Sequence, residues 1–207
     1  MRSKHTDAAR AGDSFSQKQE RILDAAKICF VRSGFDRTTM QDIAREAKMS
    51  SPNIYRYFTS KESLVLGLAE RDGKRNAFIA EPLARPDGGS EAMIEVFQRY
   101  FSTLDRDSAI LSLDLWLNAT RHPALAEIEE QGQNQARAWL RQTLLDLAKS
   151  PHCDPDVIIE AIDPILKGMV VSRALIPGYD HSSALAQVRT LVREGLLGKL
   201  IAAVPER

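Results

Sequence analysis

An all-α fold in two parts is what this sequence predicts: an N-terminal three-helix helix-turn-helix domain and a larger C-terminal helical domain, about nine helices in all. Three observations carry that expectation. Apolar residues recur at helical spacing along most of the chain, and no convincing strand pattern interrupts them. Pro and Gly punctuate those segments, at Gly34, Pro82 to Gly89, Pro123, Pro151 to Pro155 and Pro177-Gly178. Between residues 38 and 61, two short helical patterns meet at a tight turn, and the second carries polar and aromatic tips where a buried helix would carry more Leu or Val. That is the layout of a helix-turn-helix, whose second helix enters the DNA major groove. The boundaries read as a flexible arm over 1–16, a helix-turn-helix domain over 17–62 and a helical domain over 63–207.

Residues 1–16 mix Ser, Thr, Asp, Lys and Arg with few large apolar groups and read as an inert tail, although Arg2, Lys4 and Arg10 are within reach of a DNA backbone. The first helix runs from Gln17 to Ser33, with Ile22, Leu23, Ala26 and Phe30 on one stripe. Gly34 stops it as a left-handed cap, and Phe35 supplies the accompanying apolar contact. Thr38 and Gln41 fit a capping box at the start of the second helix. Met40, Ile43, Ala44 and Ala47 then face a core, and Lys48-Met49 make the turn. Ser50 or Ser51 caps the next helix, Pro52 suits its first turn, and Ile54 and Phe58 anchor it four residues apart. That leaves Ser51, Asn53, Tyr55, Arg56 and Tyr57 on the other faces. Thr59 with Glu62, or Ser60 alone, caps the fourth helix.

Beyond Lys61 the pattern gives helices over Ser60 to Ala80, Ser90 to Leu104, Asp107 to Arg121, Ala124 to Lys149, Asp156 to Leu175 and Ser182 to Ala203. The last two are the most apolar: Ile158, Ile159, Ile162, Ile165, Leu166, Met169 and Val170 crowd one, and Leu185, Val188, Leu191, Val192, Leu196, Leu197, Leu200 and Ile201 the other. This is more apolar surface than a single helix buries. Gly168, Gly195 and Gly198 would let helices approach closely.

The formal charge of the whole chain is zero, which alone argues against nucleic acid, but the distribution is uneven. Residues 1–61 hold twelve Lys and Arg against seven Asp and Glu, and the remainder is acidic by the same margin. The positive end is drawn to phosphate and the acidic part is kept off it. Two cysteines, Cys29 and Cys153, make no disulfide framework; the first reads as a small core residue and the second as a loop thiol. His5, His122, His152 and His181 are scattered through a tail and turns. There is no nucleophile elbow, P-loop, dinucleotide fingerprint or metal-ligand cluster, so neither an enzyme nor a cofactor or metal is expected. The polar N-terminus and the lack of an apolar run of about 18 residues point to a cytoplasmic protein away from membranes.

Arg21-Ile22-Leu23-Asp24-Ala25-Ala26, Phe30, Gly34-Phe35, Thr38-Thr39, Ile43-Ala44, Ile54-Tyr55-Arg56-Tyr57-Phe58 and Ser60-Lys61-Glu62 together resemble, without gaps, the DNA-binding domain of the TetR family of bacterial transcriptional regulators. Lys48 departs from the pattern, where the family usually has Gly, and so implies a positive φ at a side-chain-bearing residue. By position the resemblance implies phosphate contacts from Thr38, Thr39 and Ser50, and base-edge contacts from Ser51, Pro52 and Asn53. Arg56 would reach either a guanine or a phosphate. Tyr55 and Tyr57 resemble the family's phosphate-binding aromatic pair, although packing between helices would also explain them. Lys61 matches a phosphate-pairing lysine.

Leu113-Asp114-Leu115-Trp116 followed by Arg121-His122-Pro123-Ala124-Leu125 also looks like a segment common in these regulators before their long seventh helix. The resemblance implies that 63–207 binds an effector and dimerises. A pocket is expected among helices four to eight, with Met93, Phe97, Phe101, Trp116, Trp139 and Met169 as candidate walls and Asp114, Asn118 and Arg173 as polar anchors, suiting a small, largely apolar molecule. For each of these the core reading is the stronger one, since an aromatic at helical spacing is usually core. A two-fold bundle of helices eight and nine would place Ile158, Ile162, Ile165, Leu166, Val188, Leu191, Leu196 and Leu200 between protomers. Two recognition helices about 34–36 Å apart would then read a near-palindromic operator on double-stranded DNA. The implied function is that of a repressor released from DNA by a small molecule; the alternative is an architectural DNA-binding protein without an effector.

Overall fold

The structure, a computed structural model, describes the backbone of residues 3–84 and 89–200, and the side chains of 15–73, 79–83 and 89–200. Among the described residues it is all helical: α1 (Ser3–Ser33), α2 (Met40–Glu46), α3 (Ser51–Tyr55), α4 (Lys61–Ile79), a 3-10 turn (Glu81–Ala84), α5 (Gly89–Thr103), α6 (Arg106–Ala119), α7 (Pro123–Asp146), α8 (Pro155–Leu175) and α9 (Ser182–Leu196).

The backbone is helical from Ser3, continuous with the first helix, where the sequence suggested an arm through residue 16. No proline interrupts the stretch, so nothing there removes a ladder bond. At the far end of α1, Gly34 adopts φ 81° and its N–H donates to Phe30 O at 2.7 Å. Phe35 packs on Phe30 with ring centroids 5.5 Å apart. The cap of α2 lies one residue later than expected. The Thr39 hydroxyl accepts from Asp42 N, and the Asp42 carboxylate accepts from Thr39 N at 3.0 Å. Thr38 is instead buried, its hydroxyl directed at Gly34 O (2.7 Å) and Cys29 O (3.1 Å). At the start of α4 the Ser60 and Ser63 backbone N–H groups each donate to the other's hydroxyl oxygen.

Lys48 has φ 55°, the one positive φ outside glycine among the described residues. This conformation costs a side-chain-bearing residue about 1–2 kcal/mol. Lys48→Gly relieves it but loosens the unfolded chain. The expected net gain is up to about 1 kcal/mol, read as a higher urea midpoint at unchanged slope.

Two cores form. The first joins Ile22, Ala26, Phe30, Phe35, Ile43, Ile54, Phe58 and Leu64 to Leu111 and Leu115 of α6 and Leu125 of α7. The apolar core of the N-terminal helices thus continues past residue 62 into the larger domain. The second core gathers α5, α8 and α9 around Met93, Phe97, Phe101, Ile158, Ile162, Met169, Val188 and Leu196. α6 packs on α8, α7 and α1, and so touches both parts. Pro164 lies inside α8 on its exposed side, where its missing N–H removes one ladder bond. α9 ends at Leu196, short of the expected Ala203. Gly198 takes φ 71°, and the N–H groups of Gly198 and Lys199 donate back to Gly195 O and Glu194 O. The expected stretch over 201–203 lies outside the described residues.

Candidate nucleic-acid interface and ligand cavity

α3 is a single short helix whose inward side is Ile54, fully buried, with Phe58 behind it. A buried anchor of this kind orients the remaining positions. Ser50, Pro52, Tyr55 and Arg56 are exposed; Ser51 and Asn53 are half-exposed. Arg56 has no ion pair among the described residues, so its guanidinium is available to a ligand. Ser50 is the cap residue of α3, but its side chain makes no capping bond. On α2, Thr39 is exposed, and its hydroxyl and amide hold the Asp42 carboxyl below the usual carboxylate range. Arg21 Nη2 donates to Ala47 O at 2.8 Å and ties the end of α2 to α1, a contact that the sequence reading did not anticipate.

Three expected DNA contacts lie differently. Thr38 is enclosed, because the carbonyls at the end of α1 capture its hydroxyl. Lys61 Nζ donates to Phe35 O (2.6 Å) and Asp36 O (3.3 Å) and lies 4.3 Å from the centre of the Phe35 ring. It therefore fastens the α1–α2 turn to α4 and acts as a positioning residue. Tyr57 is half-buried against Phe15, centroids 4.7 Å apart, so its ring packs between helices while Tyr55 is the exposed tyrosine.

The same α1–α2 turn is gripped from the larger domain. Asp114 Oδ2, on α6, accepts from Phe35 N at 2.6 Å, and Asn118 Nδ2 steadies Asp114 through Oδ1 (3.2 Å) and the backbone carbonyl (2.8 Å). His122 Nε2 lies 2.8 Å from Asp36 Oδ1, and its ring stands edge-on to Phe35. One turn of chain thus receives contacts from α4, α6 and the start of α7. Near the other end of α6, Lys27 of α1 donates to Asp105 (3.2 Å) and to Ser108 Oγ (2.7 Å).

Beside this junction a cavity of about 230 Å³ lies between α1, α4, α5, α6 and α7. Val65, Leu68, Leu104, Leu111, Leu115 and Ile128 supply its apolar walls, and Tyr100, Ser112 and Glu129 its polar points. Burial, reinforced by the charge of Asp72, pushes the Tyr100 phenol up, so it stays protonated and able to donate. Burial also raises the Glu129 carboxyl, against the opposing bonds from Gln133 and Trp116. An outer groove of about 310 Å³ on the α6–α7 surface shares Glu129 with the cavity.

Comparison with known proteins agrees with this architecture. The family described as bacterial regulatory proteins, tetR family, matches residues 22–68, and the tetracyclin repressor-like C-terminal domain matches 84–197. The chain belongs to the TetR family. One relative, the HTH-type transcriptional repressor Rv1474c of Mycobacterium tuberculosis, is 32% identical over 68 residues, which is 33% of this chain and 36% of that protein. The chain spans about a third or less of the length of the first curated relatives it matches. Among solved structures, Salmonella enterica GusR aligns with a TM-score of 0.69 at 22% identity, covering 87% of this chain and 95% of that one. FadR from Bacillus subtilis, solved in complex with stearoyl-CoA, aligns with a TM-score of 0.69 at 20% identity, covering 86% and 98%. At these identities the two structures show the fold alone.

In this TetR-family chain the expected pocket residues do not form the cavity. Met93, Phe97, Phe101 and Met169 are buried in the second core, because α5 lays its aromatic stripe on α8 and α9. Asp114 and Asn118 belong to the domain junction. The two terminal nitrogens of Arg173 are engaged by Phe101 O, Tyr179 O and His181 Nδ1. Trp139 is 42% exposed. Trp116 lines the outer groove. Gly132, in mid-helix on α7, lines the cavity with nothing within 4 Å of where a Cβ would stand.

The expected dimer residues also divide. Ile158, Ile162, Val188 and Leu196 are fully buried in the protomer's own core, which leaves them no surface for a partner; Ile165, Leu166, Leu191 and Leu200 are half-buried against it. The outward face of α8 is instead Val157, Ala161, Pro164, Gly168, Val171 and Leu175, repeating at helical spacing and ending in Leu175 at 67% exposure. No described helix is long and apolar enough to cross a membrane, and no group of three or more metal-ligating side chains occurs among the described residues.

Proposed function

We propose that this protein is a sequence-specific transcriptional repressor that binds a near-palindromic operator as a cytoplasmic homodimer and leaves it when a small molecule occupies the cavity beside α6. The observation that carries the reading is α3, a helix anchored by a fully buried Ile54 that turns Pro52, Asn53, Tyr55 and Arg56 outward beside the exposed Ser50 and Thr39. Base edges fall to Ser51, Pro52, Asn53 and Arg56; phosphates fall to Thr39, Ser50 and Tyr55. The outward stripe of α8 is the dimer surface, small enough at Ala161 and Gly168 for two helices to approach closely. The repressor named among the relatives and the ligand named in the FadR structure support the two halves of this reading.

Selection of bound sequences from a random duplex pool tests it. A two-fold symmetric motif is expected. Salt-dependent binding with no motif would instead favour an architectural role. On the selected operator, Asn53→Ala and Arg56→Ala are expected to lose about 1–3 kcal/mol per base contact while binding to random DNA changes little. Tyr55→Ala should weaken both alike. Titrations on the two DNAs at fixed salt separate these outcomes.

A further inference from the structure

The lining of the cavity beside α6 selects a charge. Its volume of about 230 Å³ leaves room for a compact molecule. Among the described residues, four ionisable side chains of full charge line it: Lys27, Arg71, Asp72 and Glu129. The two cations are already neutralised from outside the cavity. Lys27 Nζ donates to both Asp105 oxygens, at 3.2 and 3.3 Å, and to Ser108 Oγ. Arg71 Nη1 lies 2.7 Å from Asp24 and 3.4 Å from Glu20. Glu129 is different: its hydrogen-bond partners, Trp116 and Gln133, are neutral, and Lys167, the cation that acts on it, is held by Asp163 at 2.8 Å.

We infer that the cavity takes a small organic cation with an apolar body, an amine or ammonium carried on a short hydrocarbon, with Glu129 as its counter-charge. The apolar walls bury the hydrocarbon, and the carboxylate recovers from the ligand the charge partner that burial denies it. An anion would meet the Glu129 carboxylate, with Lys27 and Arg71 already occupied. The outer groove leads to the same carboxylate past Trp116 and Glu130, a second acid that favours a cation. This inference rests on the proposal that the cavity is the effector site and adds the chemical class of the effector.

Calorimetric titration of the full chain without DNA, using phenethylamine, phenethyl alcohol and phenylacetate, tests it. Phenethylamine is expected to bind roughly tenfold or more tighter than the other two, the difference one charge-assisted contact makes. Glu129→Gln, which keeps the side chain's size, should abolish that preference and leave the alcohol's affinity unchanged. Glu127→Gln, exposed on the same helix, should preserve it. Gly132→Leu, which fills the cavity, should weaken all three probes. Equal or tighter binding of the alcohol or phenylacetate, a preference that survives Glu129→Gln, or no binding of phenethylamine would each overturn the inference. Operator release is read separately. An amine that binds with this pattern without releasing DNA upholds the ligand class and removes the effector role. A phenylacetate that binds and releases DNA does the reverse.

Discussion

Gly195→Ala is expected to destabilise the protein by about 1–3 kcal/mol, the range for overpacking a well-filled core. A Cβ at Gly195 falls inside contact distance of Ile158 Cγ1, 2.6 Å from its Cδ1 and 3.1 Å from Leu200 Cδ1. Ile158 is fully buried and β-branched, so it has no free rotamer into which to retreat. The glycine is therefore what lets α9 lie against α8. For a chain of this length the melting temperature should fall by about 2–4 °C for each kcal/mol. Ile158→Ala alone should cost about 2–5 kcal/mol through the cavity it leaves. The double variant should be more stable than the sum of the two losses, since the new methyl enters the vacated space. Strict additivity across that cycle would show that the close approach at Gly195 is not what constrains the helix pair.

Asp114→Ala is expected to cost about 1.5–3 kcal/mol, the range for a hydrogen bond to a charged group. The Phe35 N–H loses a 2.6 Å acceptor beside a fully enclosed ring, and Asn118 loses one of its two fixed partners. The consequence for function is the larger one. Asp114 fixes α6 to the α1–α2 turn, and that turn leads directly into the helix pair that faces DNA. Coupling between a ligand beside α6 and the operator should therefore shrink, even where each site still binds alone. Amide hydrogen exchange at Phe35 should accelerate in the variant. Unchanged protection at that amide, or undiminished release of DNA by ligand, would count against the junction as the carrier of the signal.

Most of the N-terminal unit could be read from the chain because its determinants are local. Gly34 ends α1, and Ile54 and Phe58 anchor α3. Each follows from spacing, caps and backbone freedom within a few residues. The one-residue error at the start of α2 is instructive. Thr38 and Thr39 are equally good capping residues, and the choice fell to Thr39 because two carbonyls from α1 took the Thr38 hydroxyl. Those carbonyls are brought there by the packing of α1 on α2, which local sequence does not encode.

The larger domain shows the opposite balance. Helix positions and breaks were legible to within a few residues, since Pro, Gly and apolar periodicity carry them. Which side of each helix faces inward was not. Phe97 and Phe101 suit a ligand wall as well as a core, and only the placement of α5 on α8 and α9 made them core. Glu129 reads as one more surface acid on a polar helix until α1, α4, α5 and α6 close around it. On α8, two apolar stripes compete, and tertiary packing buried Ile158 and Ile162 and left Val171 and Leu175 outward. The sequence alone determined the helices, their caps and the helix-turn-helix, because these depend on neighbours a few residues apart. The cavity, the α6 junction and the outward stripe were decided by tertiary structure, because a side chain's role there depends on which distant helix happens to cover it.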